Sequence, residues 1–128
     1  MLVFTYLLAC HPEPIMEGWT DGERFYVVTE TTPDPIPFNQ YFSVTVSILD
    51  APEGGLIPDN LNVLVDANMP AHNHGMNEAP TMSMNDDGRF EAAGLKWFMT
   101  GEWALEVFVT DTDGLTEKAT FLIDCCED

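Results

Sequence analysis

The sequence predicts an all-β protein, an antiparallel immunoglobulin-like β-sandwich of about seven strands. Three observations carry that expectation. Apolar residues recur at every second position in several stretches, as a strand with one face in a core and one in water requires. Turn formers rich in Gly, Pro, Asn and Asp separate those stretches at short intervals. No segment repeats its apolar residues with the period of an amphipathic helix. At 128 residues the chain has room for one domain with a real core and not for two ordinary ones.

The first strand runs from Arg24 to Glu30, where β-branched and aromatic residues dominate. It is stopped by Thr32-Pro33-Asp34-Pro35-Ile36-Pro37, through which no helix can run. Tyr41 to Leu49 is the clearest strand, with Phe42, Val44, Val46 and Ile48 alternating against Ser43, Thr45 and Ser47. A turn over residues 50–55 leads to Leu61–Ala67, and a short strand is expected over Pro80–Met84. Asn85-Asp86-Asp87-Gly88 turns the chain into Arg89–Ala92. Trp103, Leu105, Val107 and Val109 then form the apolar face of a strand from Glu102 to Thr110, and Leu115–Ile123 closes the domain.

The charge is lopsided: 22 acidic residues face only Arg24, Arg89, Lys96 and Lys118. Nucleic acid is therefore excluded as an expected partner, because phosphate contacts need cationic side chains. Such a surface favours cations and basic proteins, or simply keeps the domain soluble. The apolar N-terminal run, residues 1–10, is too short to cross a bilayer as a helix, which needs about 20 residues. Leu7-Leu8-Ala9-Cys10 resembles the lipobox of bacterial lipoproteins, although the cationic segment expected before it is missing. The competing reading is a buried strand. On the lipoprotein reading, residues 1–9 are a signal-peptide remnant and 10–22, polar and Pro-containing, are a flexible tether after Cys10. Residues 23–128 are then the folded domain, held outside the cytoplasm with a lipid anchor as its only membrane attachment. Neighbours on a strand face opposite ways, so Cys125 and Cys126 are not expected to serve one metal together. A disulfide between them would be strained. Pairing with another chain and two free thiols stay equally open.

The strand ending at Ala67 delivers the chain into Met69-Pro70-Ala71-His72-Asn73-His74-Gly75-Met76. His72 and His74 are two residues apart, so in an extended segment both rings leave one side of the backbone. Zinc would take four Cys, His or carboxylate ligands, with Asp66 and Glu78 nearby, but thioethers serve zinc poorly. Copper fits better, since Cu(I) favours sulfur and Cu(II) favours imidazole. Against both stands the simpler reading that Met69 and Met76 fill gaps in the core while the histidines face solvent. Met82, Met84 and Met99 are further sulfur donors within the chain, with packing the simpler role for Met82 and Met84. Trp97 and Trp103 read as core anchors.

From about Tyr41 to Ile123 the chain resembles the YtkA-like domain, related to the FixH-like envelope proteins. The matching parts are the Phe42–Ile48 strand, the Met69–His72–His74–Met76 segment, and the run in which Trp97, Met99, Gly101 and Trp103 occupy alternate positions. The resemblance implies an immunoglobulin-like sandwich exported to the bacterial envelope, with a role in copper handling near respiratory oxidases, and it singles out Met99 as an extra ligand. Asn73 stands where the family often has glycine. The transmembrane anchor of FixH-like members is absent, and the Cys10 lipobox would replace it.

The expected function is thus an extracytoplasmic, lipid-anchored protein of the periplasm or outer surface. It would hold one copper ion through His72, His74 and methionines drawn from Met69, Met76 and Met99. It would buffer the ion or pass it to an envelope copper enzyme or assembly factor, without catalysis, since no Ser/His/Asp spacing or second metal cluster is readable. The alternative is a non-catalytic interaction module of an envelope complex, with the Met/His segment a structural turn.

Overall fold

The computed structural model describes residues 16–57 and 60–126. The expected signal remnant, Cys10 and residues 11–15 of the tether lie outside the described residues. Nine strands follow in chain order: β1 (Glu17–Trp19), β2 (Tyr26–Thr32), β3 (Tyr41–Leu49), β4 (Asn62–Met69), β5 (His74–Gly75), β6 (Thr81–Met84), β7 (Phe90–Lys96), β8 (Gly101–Thr110) and β9 (Thr116–Cys125). They form two antiparallel sheets, β1-β2-β3-β7-β6 and β5-β4-β8-β9. The all-β sandwich is as expected, and among the described residues there is no helix.

The two strands beyond the expected seven are the short ones, β1 with three residues and β5 with two. Neither is long enough to show an alternation. β1 lies in the stretch expected as tether, so the sheet begins by Glu17 and not near residue 23. Trp19 packs edge-on against Tyr26, its cross-strand partner, with ring centres 5.3 Å apart. Thr20 is buried, accepts a hydrogen bond from the Phe25 amide and donates one to Glu117 of β9. The Asp21 amide donates to the Lys118 carbonyl at 2.8 Å, closing part of the exposed edge of β9.

The core lies between the sheets. Phe42, Val44, Val46 and Ile48 of β3 face Val63, Val65, Ala67 and Met69 of β4 and Trp103, Leu105, Val107 and Val109 of β8, all buried. The alternation read from the sequence is the alternation observed in β3 and β8. Residues 97–100 carry the chain from β7 in one sheet to β8 in the other. Trp97 and Trp103 flank this crossing as a stacked pair, centres 5.0 Å apart and planes 2° apart, both without solvent exposure. The Trp103 indole N–H donates to the Met99 carbonyl at 2.9 Å, which ties the crossing to the core. The Trp97 indole N–H is buried without a partner among the described residues.

All four cationic side chains are engaged. Arg24 pairs with Asp111 and Glu117, Lys118 with Glu106, and Arg89 with Asp87, while Lys96 lies over the Tyr41 ring. The Arg24 hydrogen bond, with help from the Leu115 amide, holds the Asp111 carboxyl below its ordinary pKa.

Candidate metal centre

The Met/His segment is a hairpin at one end of the sandwich. β4 ends at Met69, whose carbonyl accepts hydrogen bonds from the amides of His72 (3.1 Å) and Asn73 (2.9 Å). Asn73 has φ 53°, a left-handed conformation that Asn tolerates better than most residues, and the chain returns as β5. Met69 is paired directly with His74, and Asn68 with Gly75. The two histidines therefore do not share one extended strand. His72 is exposed in the turn and His74 is half-buried on β5.

Directly paired residues project to the same face of a sheet. Met69 points into the core, so His74 leans over the end of the core as well. Its ring lies 5.8 Å from Phe98, and Phe98 meets Trp103 edge-on at 5.9 Å. A column of rings thus runs from His74 through Phe98 to the stacked tryptophans. Phe98 was not among the candidate residues. The sign available was its place in the crossing directly beside Trp97, a large aromatic next to an expected core anchor.

Despite lying on different parts of the hairpin, the His72 and His74 rings are 6.0 Å apart, centre to centre. An imidazole nitrogen binds a metal at about 2.0 Å and lies about 1.1 Å from its ring centre, so two rings on one ion have centres at most about 6.2 Å apart. The observed separation lies just inside that limit, so the spacing admits one ion between the rings only in a near-linear arrangement with a nitrogen of each ring facing the other.

The sulfurs are distributed differently from one another. Met69 is fully buried, its methyl reaching toward Gly101 at the start of β8. Met99 is half-buried against the core next to the Trp103 hydrogen bond. Met76, also half-buried, lines a shallow hollow with Tyr41, Glu78, Lys96 and Phe98. Met82 packs against the core on β6, and Met84 is exposed beside Phe90 in a separate hollow. Neither carboxylate considered for zinc turns to the histidines: Asp66 is on the outer face of β4 and accepts from the Ala67 amide, and Glu78 accepts from the Tyr41 hydroxyl at 3.5 Å. Among the described residues no three His, Cys, Asp or Glu side chains gather into a metal-sized group. The donor types the hairpin itself supplies are imidazole and thioether, a soft to borderline set.

Cys125 and Cys126 depart from the expectation that they face opposite ways. β9 ends at Cys125, so Cys126 lies outside the strand alternation, and the two buried cysteines are joined to each other as a disulfide, where pairing with another chain or two free thiols had been expected.

No family model matches the sequence, and no curated protein matches it either. Among solved structures, a copper-bound variant of FetP from uropathogenic Escherichia coli is similar in fold, with a TM-score of 0.56. The match covers 91% of this chain and 90% of that one at 8% sequence identity. At that identity the likeness shows a shared β-sandwich fold.

Proposed function

We propose that this protein binds copper at the hairpin end of the sandwich through His72 and His74, with thioether donation from among Met69, Met76 and Met99. The observation that carries the reading is the 6.0 Å separation of the two rings, brought about by a turn and a strand pairing. The fold shared with a copper-bound protein supports it, although a fold by itself does not confer a site. An exposed imidazole beside a half-buried one suits stepwise uptake and release, so copper is cargo here, buffered or handed to an envelope copper enzyme or assembly factor. Reading Cys10 as a lipidated residue completes the proposal with an extracytoplasmic location in the bacterial envelope. It predicts that Cys10→Ala releases the protein from membranes on fractionation.

The test is anaerobic titration of the purified protein with Cu(I) against a competing chelator, with no thiol-reducing agent present. Wild type is expected to withhold one equivalent and His72→Ala/His74→Ala to lose it. Equal retention by the two proteins would end the reading.

The full burial of Met69, and the packing of Met76 and Met99 against the core, favour a second reading in which the hairpin is a structural turn of an interaction module. Under it, the double alanine variant keeps its partners in pull-downs from cell envelopes and shows no copper defect.

A further inference from the structure

Gly101 opens β8 and is paired directly with Cys125, the last residue of β9. Directly paired residues of an antiparallel ladder project to one face, with Cβ atoms about 4.5–5.5 Å apart. A Cβ added to Gly101 would come 2.8 Å from the methyl of Met69. The Cys125 side chain therefore emerges on the same core face toward which the Met69 methyl reaches at Gly101, whose missing side chain leaves that approach open. Cys126 follows, joined to Cys125 as a disulfide. Met69 and the distant cysteine pair thus lie on one face at this end of the core, with exposures of 0%, 6% and 9% for Met69, Cys125 and Cys126.

We propose that this corner is a second metal site, in which the reduced Cys125 and Cys126 bind one Cu(I) ion as thiolates with the Met69 thioether as third donor. Thiolate and thioether together select soft ions of the Cu(I) class over hard ones. Binding forms two copper–thiolate bonds and releases two protons, with no electron transferred. Joined as a disulfide, the same sulfurs offer no thiolate, so occupancy follows the redox state of the pair. The site uses neither histidine and does not rest on the imidazole reading. Met69 lies on β4 between β5 and β8, and its methyl reaches toward Gly101 of β8.

The experiment uses the full chain carrying Cys10→Ala and His72→Ala/His74→Ala, reduced with a phosphine and kept anaerobic, with Cu(I) supplied as its acetonitrile complex against a chelator. The expected result is one retained equivalent, an ultraviolet thiolate-to-copper absorption, and protection of the peptide bearing Cys125 and Cys126 from N-ethylmaleimide. Adding Cys125→Ala/Cys126→Ala, or oxidising the parent, is expected to remove the equivalent and the absorption. Alkylation that proceeds equally with and without Cu(I), and no absorption in the reduced parent, would overturn the proposal. Should the cysteine variant fail to fold, the protection measured in the parent decides alone. Because the parent lacks both imidazoles, failure here leaves the result at the histidine pair untouched.

Discussion

Gly101→Ala is the substitution whose cost the structure specifies most closely. Gly101 has φ 135°, a conformation L side chains rarely adopt, and strain of that kind costs about 1–3 kcal/mol. The new methyl would also lie 2.8 Å from the Met69 methyl. Met69 is flexible but wholly enclosed, so the displaced group has to push into packed neighbours, an overpacking cost of about 1–3 kcal/mol. Together these give about 2–6 kcal/mol. Gly114 separates the two parts. It has φ 83° and no neighbouring atom within 4 Å of an added Cβ, so Gly114→Ala carries the backbone cost alone, about 1–2 kcal/mol. Urea unfolding of both variants, compared at unchanged m, measures the difference. Gly101→Ala is expected to be the more destabilising by at least about 1 kcal/mol. Equal losses would show that Met69 does not occupy the space beside Gly101, and with it the argument for the sulfur corner would fall.

The stacked tryptophans offer a matched contrast, because Trp103 donates to the Met99 carbonyl and Trp97 has no partner among the described residues. Trp103→Phe and Trp97→Phe remove similar volume, but only the first breaks a buried hydrogen bond, so it should cost about 1–3 kcal/mol more in urea unfolding. The Asp111 carboxyl is held low by Arg24 and the Leu115 amide. Its contribution to stability is therefore present above the ordinary aspartate pKa of about 3.9 and is lost as pH falls through the lower folded value. Stability measured down that acid limb should fall less steeply for Asp111→Asn than for wild type; parallel curves would refute the pairing.

Most of the fold was legible because β3, β4, β8 and β9 are long enough for alternation to show, and their inward residues are the ones the pattern marks. β1 and β5 were not, since two or three residues carry no period and their pairing is decided by Tyr26 and Met69 across the gap. The hairpin's ligands were legible as residue types. Their geometry was not: the i, i+2 spacing implied one extended strand, whereas the Met69 carbonyl gathers two amides and turns the chain between the histidines. The position of Cys125 beside Met69 depends on strand order, β4-β8-β9, which no local pattern encodes.

The four cations described in the fold have a consequence for the medium in which the protein works. Each is already held by a carboxylate or a ring, so a formal charge of −18 is left with no free counterweight on the chain. Self-repulsion of that size strains the compact state, and screening relieves it over a Debye length of about 8 Å at physiological ionic strength. Added salt should thus firm the sandwich while slowing the arrival of any cation at its hairpin end, setting the molecule's durability and its capture rate in opposition.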